Sequence, residues 1–263
     1  MDLGLRGKVA LVAAASRGLG RAVALEFGSE GAKLVLCARG GDDLDSAKQF
    51  ISTCTGAEVH TVVADLSRQE HIELVTTEAM AKFGQVDILV TNAGGPPAGV
   101  FESHKWETWE RAVNLTLRSV IELTRAVLPG MRSRKWGRVI NINSIAAKQP
   151  VDNLILSNSI RSAVSGFSRS LANEVATDGI TVNSILAGYT RTDRVEQLAN
   201  ATAAKEGIDK GDVLARFERE IPMKRLGEPN ELAALAAFLG SERAAYITGQ
   251  SIAVDGGWIK GLL

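Results

Sequence analysis

The run AAASRGLG at residues 13–20 puts Gly18 and Gly20 directly behind a short apolar strand and at the start of a long amphipathic stretch. The chemistry suited to such a junction is anion binding. Backbone N–H groups at a helix start, aided by the positive end of the helix dipole, hold a pyrophosphate, and glycine lets the chain approach it closely. A tight turn alone is the competing reading of the two glycines. Arg17 lies beside the turn, and Arg39 follows the second strand, where a dinucleotide site that takes NAD carries a carboxylate for the ribose 2′-hydroxyl. No acid stands there. The planar fork of an arginine pairs instead with a 2′-phosphate, so NADP(H) is the preferred cofactor and NAD(H) the secondary one. Asp42 and Asp43, close in sequence, are the counter-argument.

These residues need a sheet edge to carry them. Short β-branched runs at Lys8–Ala13, Lys33–Cys37, Glu58–Val63, Val86–Thr91, Arg138–Asn143 and Thr181–Ile185 alternate with longer stretches that repeat apolar residues at helical spacing. The helices are expected at Gly18–Glu30, Asp43–Ser52, Gln69–Phe83, Lys105–Arg134 with a break near Pro129, Asn153–Thr177 and Pro229–Leu239. Strands that read as almost wholly apolar, such as VALVA, are those covered on both faces. The pattern predicts an α/β fold: a single-domain, Rossmann-like, doubly wound parallel sheet flanked by helices on both faces, closed by a strand at Ser251–Val254. Two segments interrupt the rhythm. Asn92–Ser103, with two prolines, is expected to be an exposed loop at the carboxyl end of a strand, where ligands bind in such sheets. Gly188–Gly227 is too long for a simple connection and reads as a substrate lid with short helices, or else as an oligomer contact.

Composition removes other classes of function. The 263 residues carry 30 Lys and Arg against 30 Asp and Glu, so there is no electrostatic footprint for nucleic acid or for an anionic membrane surface. The longest apolar run, Leu232–Leu239, falls far short of the roughly 18 residues a membrane helix needs. The amino terminus does not read as a secretory signal. Two cysteines, Cys37 and Cys54, exclude a disulfide scaffold or a cysteine-based metal site, and no metal cluster emerges. A cytoplasmic protein without nucleic-acid or membrane partners is the expectation.

In order along nearly the whole chain, further motifs join the glycine-rich turn: ADLS around Asp65, TNAG at Thr91–Gly94, Asn114 in a long helix, INSIA around Ser144, NSILAGYTRT at Asn183–Thr192 and the ending YITGQSIAVDGG. Together they resemble the short-chain dehydrogenase/reductase family. That resemblance implies a cofactor held by Ser16, Arg17, Gly18, Leu19 and Gly20 at the turn, by Arg39, Asp65 and Leu66 at the adenosine end, by Asn92, Ala93 and Gly94 after the fourth strand, and by Arg161, Thr190 and Thr192. It implies catalytic roles for Ser144 and Asn114, places Ser157 and Arg161 at the positions of its acid pair, and implies a homo-oligomer, commonly a tetramer, through the long helices.

The departures bear on chemistry. Where the family has a YxxxK pair behind its serine, this chain has Ser157, thirteen residues after Ser144, and Arg161 four further on. The i, i+4 spacing puts the two on one helix face. Arg161 can bond ribose hydroxyls and supply positive potential, but it is not a proton donor at neutral pH. An alkyl hydroxyl is far less acidic than a phenol, so Ser157 would act only in a relay. Tyr189, at the mouth of the expected nicotinamide site, is the other candidate acid, with aromatic packing as its plainer role. Lys148 reads as a solvated loop residue and His104 as a bystander near the pocket loop. Ala13 and Ala14 occupy the family's Thr-Gly positions, Thr91 an asparagine position and Ala187 that of a proline. The resulting expectation is an NADP(H)-dependent oxidoreductase acting on a small-molecule carbonyl or alcohol, of 3-oxoacyl reductase or sugar/polyol dehydrogenase kind. The alternatives are an NADP-binding pseudoenzyme with a sensing or structural role, and non-redox lyase or isomerase chemistry.

Overall fold

The computed structural model describes residues 2–262. Seven strands, β1 (Val9–Ala13), β2 (Lys33–Ala38), β3 (Val59–Val63), β4 (Ile88–Thr91), β5 (Gly137–Ser144), β6 (Ile180–Ala187) and β7 (Ser251–Val254), form one sheet in the order β3-β2-β1-β4-β5-β6-β7. All six pairings are parallel. The chain winds outward in one direction through β1, β2 and β3, then in the other from β4 to β7. A crevice therefore opens between the carboxyl ends of β1 and β4.

Burial follows the two-residue period of a strand. In β1, Ala10 and Val12 enter one core while Val9, Leu11 and Ala13 enter the other; in β2, Leu34 and Leu36 oppose Val35 and Cys37. The first core is closed by α1 (Gly18–Ser29), α2 (Gly41–Thr55) and α9 (Pro229–Gly240), through Phe27, Ile51 and Leu232 among others. The second is closed by α3 (Gln69–Phe83), α5 (Ser119–Arg134) and α6 (Ile155–Val175), through Val75, Met131 and Val175. Each such side chain contributes about 1.5–3 kcal/mol relative to exposure. The doubly wound architecture expected from the apolar strands is the one observed.

The expected break near Pro129 does not occur. Pro129 lies inside α5, which runs on to Arg134 because Leu123, Val127 and Met131 bury one face against the sheet. The irregularity lies one element earlier, where α4 (Trp106–Val113) passes into α5 through a wide π turn at Asn114–Arg118. Helix α6 begins at Ile155 rather than Asn153, since Asn153 has φ +58°, outside the helical region. Segment 188–227 folds into two short helices, α7 (Asp193–Glu206) and α8 (Lys210–Glu220), with a small core of its own made by Val195, Ala199, Val213, Phe217, Ile221 and Leu226. No described helix is long and apolar enough to cross a membrane.

Candidate active site

A cavity of about 590 Å³ lies at the carboxyl ends of the strands, between the sheet edge and α7. Its floor at one end is the turn between β1 and α1. Ala14 leaves β1 with φ +50°, Gly18 follows with φ +52°, and Ala14, Ser16, Arg17, Gly18 and Leu19 all line the cavity. Thr192 closes over this turn: a Cβ at Gly18 would lie 3.3 Å from the Thr192 methyl group. Gly20 does something else. A Cβ there would sit 2.2 Å from the Ala14 carbonyl oxygen, so Gly20 seats α1 against the turn and is not a cavity residue.

Arg17 spans the mouth, donating to Asp43 at 2.7 Å and to Asp193 at 3.4 Å. Arg39 lines the same mouth and is exposed. Asp65 and Leu66 form the neighbouring wall. The Asp65 carboxylate accepts from the Ser67 N–H at 3.0 Å and the Ser67 hydroxyl at 2.8 Å, which fixes the turn after β3.

Helix α6 is keyed to the sheet by buried polar groups. The Thr91 hydroxyl donates to Asn141 at 2.6 Å, Asn141 donates to Ser168 at 2.8 Å, and Asn143 donates to the Arg161 carbonyl and to Ser165, each at 3.0 Å. Thr91, at the family's asparagine position, thus has a structural partner. These bonds set the face of α6 that turns Ser157 and Arg161 toward the cavity, which Ser144 enters from the end of β5 and Asn92, Ala93, Gly94 and Gly95 from the loop after β4. The Ser144 Oγ accepts from the Ala146 N–H at 3.2 Å, and this leaves the serine's own O–H as a donor.

Arg161 is only 8% exposed. Its Nη1 donates to the Ile142 carbonyl at 3.0 Å and its Nη2 to the Ala93 carbonyl at 3.3 Å, while the buried Nε has no partner among the described residues. Burial, reinforced by the nearby Arg194 guanidinium, pushes its pKa down to about 10, so it stays cationic at neutral pH. A buried cation held only by carbonyl groups is costly unless a ligand completes its shell.

Two candidate residues are placed differently from the sequence expectation. Asn114 is not a cavity residue: it opens the π turn, its carbonyl accepts the Ser119 N–H, and Leu115 borders the cavity in its place. Tyr189 lies at the cavity, but its ring stacks on Phe217 with centroids 4.4 Å apart and meets Trp258 edge-on at 6.2 Å. Burial pushes its hydroxyl up to about 12, away from the range of a neutral-pH acid, and the contacts it makes are those of ring packing. Ala187, at the family's proline position, pairs with Val254, and the Gly188 N–H donates to the Val254 carbonyl at 3.0 Å, so the strand exit is held by the sheet. Thr190 is buried beside it, its hydroxyl donating to the Gly188 carbonyl at 3.2 Å. Lys148 and His104 lie outside the cavity.

The sequence reading missed Arg194. From the first turn of α7 it reaches over the cavity and donates to the Pro96 carbonyl at 2.8 Å, passing Gly95 so closely that a Cβ there would lie 2.7 Å from its Nε and Nη2. The available signal was a glycine pair in the loop after β4 and a basic residue at the start of the long segment after β6.

A family model described as enoyl-(acyl carrier protein) reductase matches residues 13–259. The 3-oxoacyl-[acyl-carrier-protein] reductase FabG of Escherichia coli is 35% identical over 255 residues, covering 97% of this chain and 98% of the relative. Among solved structures, L-sorbose reductase from Gluconobacter frateurii, complexed with NADPH and L-sorbose, aligns with TM-score 0.95 and 36% identity over 100% of both chains. YwfH, an NADPH-dependent reductase involved in bacilysin biosynthesis, aligns with TM-score 0.92 and 30% identity over 97% of this chain and 100% of its own.

Proposed function

This chain belongs to the short-chain dehydrogenase/reductase family, and from that premise we propose that it is an NADP(H)-dependent oxidoreductase interconverting a carbonyl and an alcohol on a small molecule. The observation that carries the reading is the meeting, in one cavity, of the glycine-rich turn, Ser144 and the buried Arg161 guanidinium with its open Nε. The similar proteins named above are reductases, which lends no support to a binding role without turnover.

The residues fit the nucleotide. The Gly18 turn offers backbone N–H groups at the α1 start for the pyrophosphate, with Thr192 beside it. Arg17 already balances Asp43, so Arg39 is the cation left for a 2′-phosphate. Arg161 holds the nicotinamide ribose. When bound, the nicotinamide supplies or accepts the hydride.

Everything else falls to this chain's own groups. Ser144 donates its O–H to the substrate oxygen and stabilises the negative charge that develops there, and the positive potential of Arg161 adds to that stabilisation. Ser157 and Arg161 take the place of the family's YxxxK pair. The proton reaches the alkoxide from water in the cavity, relayed by the Ser157 hydroxyl, and Tyr189 has no part in the transfer. Segment 188–227 acts as the substrate lid. A homo-oligomer, tetrameric on the resemblance, built through the α5 and α6 region and working in the cytoplasm, completes the reading.

The test is a fluorescence titration with NADPH and NADH, followed by a panel of ketones monitored at the nicotinamide absorbance. Tighter binding of NADPH and ketone-dependent oxidation are expected. Binding of neither coenzyme overturns the proposal.

A further inference from the structure

We propose that the substrate is an anionic carbonyl compound, an oxo acid, whose carboxylate is read by Arg194 together with Arg161. The inference rests on the reductase reading and narrows its substrate class.

The charges in the cavity are unevenly matched. Its lining holds four arginines, Arg17, Arg39, Arg161 and Arg194, and three aspartates, Asp43, Asp65 and Asp193. Asp43 and Asp193 are both engaged by Arg17 at the glycine-rich turn, Asp65 accepts from Ser67, and Arg39 is the exposed cation at the nucleotide end of the cavity. That leaves Arg161 and Arg194. Each bonds only to backbone carbonyls, Arg161 to Ile142 and Ala93 and Arg194 to Pro96, and neither has a carboxylate partner among the described residues. The two cations are near enough to repel, and Arg194 is itself held below its ordinary pKa by burial.

Two desolvated guanidiniums that share a cavity and lack a counter-ion are unfavourable alone and are balanced by an anion entering between them. The planar fork of Arg194 matches the geometry of a carboxylate, and Arg161, whose Nη groups already donate to carbonyls, adds its positive potential. Leu115, Ile145, Val151, Leu154, Val195 and Leu198 add apolar wall beside the polar Ser144, Ser157 and Gln197, which gives the carbon chain of an oxo acid a surface to pack on. Gly95 serves the arrangement, since any side chain there would meet the Arg194 guanidinium. The carboxylate takes no part in the bond changes at the carbonyl; it fixes the chain's direction in the cavity.

The experiment compares matched pairs, acetoacetate with methyl acetoacetate and levulinate with methyl levulinate, at saturating NADPH. In the wild type, kcat/KM for each acid should exceed that for its ester by more than tenfold. In Arg194→Met the acid-to-ester ratio should fall toward one, through a KM for the acid raised about ten- to a hundredfold, the value of a charge-assisted bond to a carboxylate. Arg194→Lys, which keeps the charge and loses the fork, should lie between them. NADPH affinity should stay within twofold in both variants. If neither pair is turned over, calorimetry of acetoacetate against the NADP⁺-saturated protein gives the same comparison.

Equal efficiency for acid and ester in the wild type overturns the inference, as does acetoacetate binding that Arg194→Met leaves unchanged. An Arg194→Met variant that loses NADPH more than tenfold but keeps its acid preference also overturns it, and makes Arg194 a cofactor clamp. Wild-type protein that binds no NADPH overturns the reductase reading itself, and this inference with it.

Discussion

Arg17 reaches across the cavity mouth to Asp43, with Nη2 at 2.7 Å from the Oδ1 of the acid. This pairing decides how the residues after β2 act on a nucleotide. Asp43, free, would repel a 2′-phosphate, and Asp43, paired, leaves Arg39 as the local cation. Arg39→Ala should therefore weaken NADPH about ten- to a hundredfold, the range for a charge-assisted bond to phosphate, while NADH changes less than threefold. Fluorescence titration of the two coenzymes checks it. Equal losses for both would remove Arg39 from phosphate recognition.

Ala14 holds φ +50° at the exit of β1, a conformation that costs an L side chain about 1–2 kcal/mol and glycine nearly nothing. Ala14→Gly relieves that strain but raises the entropy of the unfolded chain, so urea unfolding should show a net change within about 1 kcal/mol. Ala14→Val, β-branched at the same φ, should lose more than about 2 kcal/mol. A harmless valine would mean that the turn relaxes freely.

Tyr189 provides a different contrast. If its ring packs the lid, Tyr189→Phe keeps kcat within threefold, because the stack on Phe217 survives the loss of the hydroxyl. Tyr189→Ala removes the stack, worth about 0.5–1.5 kcal/mol beyond burial, and should raise KM through a looser lid. A drop in kcat of well over tenfold in the phenylalanine variant would restore the phenol as the acid.

Acid tolerance should depend on the start of α9. Glu231 accepts two bonds from Arg225 and one from the Glu228 N–H, and the Arg225 bonds lead in pulling its pKa down from 4.5 to about 2. A carboxylate with a lowered folded-state pKa contributes stability that is complete above pH 4.5 and fades as the pH falls toward 2. Glu231→Gln should be less stable than wild type at neutral pH and converge with it near the acid end. Chemical denaturation at a series of pH values reads this directly, and a constant gap would contradict it.

Much of this was legible in the chain. The two-sided burial of VALVA and the glycine-rich turn announced a doubly wound sheet and its ligand edge, and Ser144, Ser157 and Arg161 do line one cavity. Residues whose role depends on neighbours distant in sequence were harder to read. Gly20 looked like a phosphate contact and instead packs on Ala14, a distinction that depends on a single carbonyl's position. Asn114 opens a π turn that no local propensity marks, and it does not line the cavity. Pro129 suggested a break that the burial of α5 overrides, and Arg194 reaches the cavity only because α7 lies beside the loop after β4, where it bonds the Pro96 carbonyl.

We propose that Arg161, on the helix face it shares with Ser157, serves carbonyl reduction by NADPH. The most direct measurement is the rate of ketone-dependent NADPH oxidation at saturating cofactor in wild type, Arg161→Ala and Ser144→Ala. The account predicts turnover in the wild type and a loss of roughly a hundredfold or more in each variant, the scale of removing an oxyanion-stabilising group. Variant rates equal to the wild type, or a wild type that binds NADPH and reduces nothing, would contradict it.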